Sequence, residues 1–214
     1  HEFDRGAALL KTGIKADARF PVLSANIHSS SHLMRDVDYV PAVVAEIKGL
    51  RVGIIGLTTA IDVRTGLASD PTLAVASPVT AAMNIFKAVE AVSDVVVILS
   101  HCGYGKNMHS SGKAATARNI GEGDFSIAEA IGPISEKPVV LVGGHSHTTL
   151  NQDGIEADNM VNGLLLTQAK AHGKYLGEIV MSIGAGMGRD AWFNSVSLHA
   201  TKKRDKRVEA GDEK

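Results

Sequence analysis

Val95-Val96-Val97-Ile98-Leu99-Ser100-His101 and Val139-Val140-Leu141-Val142-Gly143-Gly144-His145-Ser146-His147 decide the fold of this chain. Both are unbroken apolar runs that end on histidine, one entered from Ser93-Asp94 and the other from Lys137-Pro138. Runs of this length and β-branched content suit strands covered on both faces of an α/β sheet. Ligands of such sheets sit beyond the carboxyl ends of the strands, where His101, His145 and His147 fall. In an extended segment, His145 and His147 would share one face while Ser146 points away. Imidazoles converging at a strand edge are typical ligands of zinc, manganese or iron. The pattern therefore predicts a metal-dependent hydrolytic site, and His1-Glu2-Phe3-Asp4 adds a third histidine-bearing stretch.

The flanking segments continue the α/β rhythm. Pro78 suits the first turn of a helix, and Val79, Ala82, Met83, Phe86 and Val89 recur at helical spacing, so this helix should lead through Ser93-Asp94 into the first histidine-tipped strand. Upstream, Arg5 to Lys11 reads as a short helix ended by Thr12-Gly13, and Phe20 to Ile27 as a strand. A polar loop, His28 to Asp38, follows it. Val40 to Ile47 and Arg51 to Thr58 flank Lys48-Gly49-Leu50 as a hairpin. Gly103 to Gly123 is a long polar loop, followed by a helix from Asp124 to Ile131. Leu164 to Gln168, Tyr175 to Ser182 and Trp192 to His199 resemble an antiparallel finish. Residues 1–200 form the folded part and 201–214 a charged tail or linker.

Composition excludes several classes. The 214 residues are 44% hydrophobic, enough for a sizeable core. A net charge of −1 and 4% aromatic residues give neither the basic field nor the stacking platform of a nucleic-acid binder. No apolar run is long enough to span a membrane. The single cysteine, Cys102, excludes an internal disulfide. Opening on histidine without a leading methionine, the chain is expected to be part of a longer protein, with upstream and downstream parts missing.

Taken in order, His1-Glu2-Phe3-Asp4 with Gly6, Phe20-Pro21 to Asn26, Gly53-Ile54-Ile55-Gly56-Leu57-Thr58, Leu99-Ser100-His101, Gly144-His145-Ser146-His147-Thr148, and Gln168-Ala169-Lys170 with Gly173-Lys174-Tyr175-Leu176-Gly177 resemble the calcineurin-like metallophosphoesterases. Within them, the chain is most similar to the 5′-nucleotidase, UDP-sugar hydrolase and 2′,3′-cyclic-nucleotide phosphodiesterase group. The resemblance implies a four-layer α/β/β/α sandwich, incomplete here on its N-terminal side, with residues 1–200 as the C-terminal part of the metallophosphoesterase catalytic domain. It implies two divalent metal ions, zinc, manganese, iron or cobalt, that clamp a phosphate and activate water for in-line attack. His101 and His145 would bind one ion and His147 the other, while His1, oriented by Asp4, would face the phosphate and stabilise developing charge.

The family's Asp-x-His, its bridging Asp and the Asn before His1 are absent from this chain, as is the second domain that holds the nucleotide base. The expected substrate is a nucleotide or other small phosphoester, and the expected location is exported, periplasmic or cell-surface. The chain by itself is expected to be inactive. A thiosulfohydrolase of the same architecture, or a non-catalytic folded piece with a partial metal site, are the alternatives.

The remaining candidates read more simply. His28 and His32 lie in a serine-rich loop, and His109, His172 and His199 read as surface or packing residues. Cys102 reads as a small buried side chain. Gly103-Tyr104-Gly105-Lys106 lacks the spacing of a phosphate-binding loop, and Asp124 reads as a helix N-cap.

Overall fold

The computed structural model describes Phe3 and residues 6–29, 32–60, 72–105, 120–184 and 192–201. Its centre is a six-stranded mixed sheet. The hairpin β2 (Ala42–Ile47) and β3 (Leu50–Thr58) forms one edge, with Lys48 and Gly49 both at positive φ, the turn geometry that matches strand twist. β3 then runs parallel to β5 (Val95–His101), β5 to β6 (Val139–Val142), and β6 to β8 (Leu164–Thr167). The two-residue β7 (Met160–Val161) closes the other edge antiparallel to β8. The expected antiparallel finish is thus corrected: β8 belongs to the parallel core, and only β9 (Tyr175–Met181) and β10 (Phe193–Ala200) pair as an antiparallel ribbon.

Two helices cover one face. α2 (Pro78–Ala91) is capped by Ser77, whose hydroxyl accepts from the Thr80 amide, and α3 (Asp124–Ile131) lies beside it. Phe86, Ile127 and Ile131 bury completely against Ile55, Ile98, Leu141 and Leu166, which share a face because they are register partners on four neighbouring strands. The opposite face is only partly covered. Trp192, Phe193 and Val196 of the ribbon segment pack on Val140 and Leu165, whereas Leu99 is 43% exposed and Val142 36%. The expectation of strands covered on both faces therefore holds for β8 and half of β6, where the ribbon reaches. Of the four layers expected, the described residues show the helix layer and the six-stranded sheet, with the ribbon on the second face.

Two upstream expectations change. α1 runs Ala7–Asp17, through Thr12 and Gly13 rather than stopping there, because Gly13 keeps helical φ and Ala18 makes the exit in extended conformation. Phe20 to Ile27 forms no long strand: Leu23 bridges Val40, and β1 (Ile27–His28) pairs with β4 (Ala74–Val75). Side chains replace the ladder. Asn26 donates to the Thr58 and Ala76 carbonyls at 2.6 and 3.0 Å and accepts from the Thr58 amide at 2.8 Å. That amide ties the incoming chain to the carboxyl end of β3, where Thr58 is the register partner of His101. The segment 201–214 is described only at Thr201, so its reading as a tail lies outside the described residues.

Candidate active site

His101 is the last residue of β5. Alternation turns Ser100 toward the helices and His101 toward the opposite face. Ser100 donates its hydroxyl to Asp124 Oδ1 at 2.5 Å and accepts from the Cys102 amide at 3.1 Å. Asp124 is the first residue of α3, but Gly123 occupies the cap position and no side chain caps the helix. The capping role is thus corrected: the Asp124 carboxyl turns inward beneath the sheet edge, 1% exposed, and burial pushes it up to about 8.

β6 ends at Val142, earlier than the sequence pattern implied. His145 and His147 do not alternate along a strand; both adopt left-handed backbone, at φ 64° and 55°. Ser146 between them is buried, whereas His147 is exposed. Ser146 is thus enclosed between the two histidines by a turn and not by strand alternation, and the two rings meet different partners. Left-handed backbone at non-glycine residues costs about 1–3 kcal/mol each, and such positions persist where surrounding contacts dictate them. Lys170 and His172 in the facing loop share this conformation, at φ 65° and 60°.

The rings pair across the edge. His101 and His145 meet edge-to-face with centroids 5.3 Å apart, and His147 meets His172 in the same manner at 5.4 Å. The pairing of His172 with His147 was not legible as a site feature, since His172 read as a surface residue. His28 is exposed and outside both pairs, and His199 bonds Glu178 at 2.9 Å across the ribbon. His1, Asp4 and His109 lie outside the described residues. Phe3 is 8% exposed and packs with Ala7, Ile27 and Leu33.

Close approach explains the glycines of the turn. A Cβ on Gly143 would lie 2.1 Å from Asp124 Oδ2, and one on Gly144 would lie 3.0 Å from His101 Nδ1. Only a bare backbone lets the turn lie against both groups. Cys102 beside His101 is fully buried, and desolvation pushes its thiol up to about 12. It packs in the core cluster with Ile98, Ile127 and Leu141, as expected of a small buried side chain.

The donor chemistry of the His101–His145 pair fits part of a transition-metal site. A zinc–nitrogen bond of about 2.0–2.1 Å sets a ligand ring's centre roughly 3 Å from the ion, so the 5.3 Å between the two ring centres is a separation that two ligands of one ion can have. Two imidazoles are half of a four-coordinate set. Among the described residues, no three His, Cys, Asp or Glu side chains gather into a group that could hold a metal. A cavity of about 300 Å³ lies elsewhere, between α1 and residues 37–40, and includes none of these histidines.

Known proteins agree with the architecture. No family model matches the chain. A 5′-nucleotidase of Diplobatis ommata is 29% identical over 202 residues, 87% of this chain and 31% of that protein. A 5′-nucleotidase precursor from Thermus thermophilus superposes with TM-score 0.62 at 27% identity, over 94% of this chain and 37% of that one. A putative 5′-nucleotidase from Staphylococcus aureus superposes with TM-score 0.70 at 20% identity, over 96% and 37%, and so supports the fold. The chain spans about a third of the length of these proteins. With the ordered motifs, the parallel sheet and the paired histidines at its carboxyl edge, these likenesses indicate the metallophosphoesterase/5′-nucleotidase family.

Proposed function

We propose that this chain is part of a metal-dependent phosphoester hydrolase whose substrate is a nucleotide, hydrolysed at a binuclear centre. The observation that carries this reading is the meeting of His101 and His145 at the carboxyl edge of a parallel sheet, 5.3 Å between ring centroids. In this reading His101 and His145 hold one ion and His147 the other. Bound ions would supply Lewis acidity toward the phosphoryl oxygens. His1, with Asp4 orienting it, stabilises charge that develops on the phosphate. The carboxylates that complete the centre, and the group that holds the base, come from other parts of the protein. The word precursor in the name of the Thermus thermophilus relative supports export of a related protein, and a periplasmic or cell-surface location is proposed on that ground.

The test is hydrolysis by the full-length protein of AMP, a UDP-sugar, a 2′,3′-cyclic nucleotide and a thiosulfonate ester, before and after chelation and after zinc or manganese is restored. Metal-dependent release of phosphate from AMP supports the proposal. Activity that survives complete metal removal would refute it, and turnover of the sulfur ester alone would move the chain to the thiosulfohydrolase reading.

A further inference from the structure

We propose that Gln168 is the positioning residue that holds the turn carrying His145 and His147, by clamping both sides of that turn with a single buried side-chain amide. This rests on the reading of those histidines as metal ligands and extends it to a residue outside the metal-ligating set.

Gln168 follows β8 directly and is 1% exposed. Its Nε2 donates to the Gly144 carbonyl at 2.8 Å, on one side of His145. Its Oε1 accepts from the Thr148 amide, on the far side of His147, and from the Ser146 hydroxyl at 3.1 Å. The amide can sit only one way round, because a carbonyl solely accepts and an N–H solely donates. Ser146 then has its proton committed to Gln168, so its lone pairs receive the Tyr104 amide at 3.0 Å and the Thr148 hydroxyl at 2.8 Å. One buried network thus joins the loop after β5, the histidine turn and the end of β8.

The backbone of Gln168 repeats the clamp. Its carbonyl accepts from the Leu150 amide at 3.0 Å, while the Lys170 amide donates to the Thr148 carbonyl at 2.9 Å. His145 and His147 occupy left-handed backbone that local preference opposes. The bonds from Gln168 fall on Gly144, Ser146 and Thr148, the residues that alternate with the histidines, so they fix the imidazoles without touching them. Partners of this kind commonly change metal affinity by about 10–100-fold when removed.

The experiment compares Gln168→Leu, Gln168→Glu and the core variant Phe86→Leu in the full-length protein. It measures zinc affinity by competition with a chromophoric chelator, thermal midpoint, and amide hydrogen exchange at Thr148 and Leu150 in the metal-free protein. Gln168→Leu is expected to weaken zinc binding by roughly 10–100-fold and to speed exchange at Thr148. Phe86→Leu lowers the midpoint but leaves affinity unchanged. Gln168→Glu keeps the acceptor oxygen, so it should restore protection at Thr148 and bind zinc with intermediate affinity. Wild-type affinity in a folded Gln168→Leu protein would overturn the proposal. Should Gln168→Leu not fold, unchanged affinity in Gln168→Glu would overturn it equally. If the wild-type protein itself takes up no zinc, the proposed function fails first. Thr148 exchange then still decides the clamp, upheld by lost protection in Gln168→Leu, or in Gln168→Met, which also lacks the acceptor oxygen, should Gln168→Leu not fold, and overturned by unchanged protection in the variant measured.

Discussion

Ser100 and Asp124 meet at 2.5 Å beneath the strand end that carries His101, the serine hydroxyl donating to a carboxyl whose other oxygen is buried without a hydrogen-bond partner among the described residues. Burial dominates this carboxyl and pushes it up to about 8, although the serine bond favours the charged form. An unfolded aspartate titrates near about 3.9. Between those values the folded chain retains a proton that the unfolded chain has released, so stability falls as pH rises through that window. Asp124→Asn removes the titration while keeping the shape. Thermal midpoints of the metal-free proteins should agree near pH 4 and diverge in favour of the variant by pH 9; parallel curves would show that the carboxyl is ionised throughout.

Gly143 and Gly144 should separate stability from metal binding. An alanine methyl at 143 would meet the firmly held Asp124 carboxyl at 2.1 Å, an overpacking that costs about 1–3 kcal/mol. At 144 the methyl would meet His101 Nδ1 at 3.0 Å, and a side chain can give by a few tenths of an ångström. Gly143→Ala is therefore expected to lower the unfolding midpoint in denaturant. Gly144→Ala should fold with near-wild-type stability yet bind zinc more weakly. Equal effects of both on both measurements would contradict the assignment.

Some of this was legible in the chain because it rests on short-range periodicity. The apolar runs of β5 and β6, the helical spacing from Pro78 to Val89 and the Lys48-Gly49 turn each carry their signal within a dozen residues. The turn at His145 and His147 reads as a strand extension because it follows the apolar run of β6 without a break, and only the dihedral angles reveal two left-handed residues. Gln168 and Asn26 gave no local signal of their roles. Each buried amide serves backbone groups distant in sequence, and nothing in composition marks which polar residue will be enclosed. Asp124 misled for a related reason: its place at a helix start predicts a cap, but the serine beneath the sheet edge competes for the same carboxyl.

Arg51 and Asp94 join the starts of β3 and β5, far from the histidines. The guanidinium donates through Nη2 to Oδ1 at 2.6 Å and through Nε to Oδ2 at 3.2 Å, and the Arg51 amide donates to Oδ2 at 2.8 Å. This side-chain pairing holds the Asp94 carboxyl down to about 2. A depressed carboxylate stabilises the fold above its unfolded value, near about 3.9, and loses that contribution as pH falls toward 2. The midpoint difference between wild type and Arg51→Ala should be constant from pH 5 to 7 and shrink below pH 4. Because both groups face solvent, added salt should also reduce it. A difference that persists unchanged at pH 2 would mean that the arginine acts through packing of its stem.

His145 and His1 are assigned different tasks, and the full-length protein can tell them apart. A ligand holds the ion in both ground and transition states, so His145→Ala should lower metal content and turnover together. A residue that meets only the charge developing on the phosphate contributes to the transition state alone; its loss appears in kcat with metal content retained. For His1→Ala the expected fall is roughly 10²–10³-fold, the loss seen on removing other single stabilising donors. In the proposed roles, Asp4→Asn should share part of that fall and move the alkaline limb of the pH–rate profile to lower pH, since a residue that acts as a cation is lost as pH rises and a neighbouring carboxylate would favour its charged form. Metal stoichiometry and AMP hydrolysis measured on the same preparations decide the matter. A His1→Ala protein that loses its metals, or one that keeps full activity, would show that the residue opening this chain has been given the wrong task.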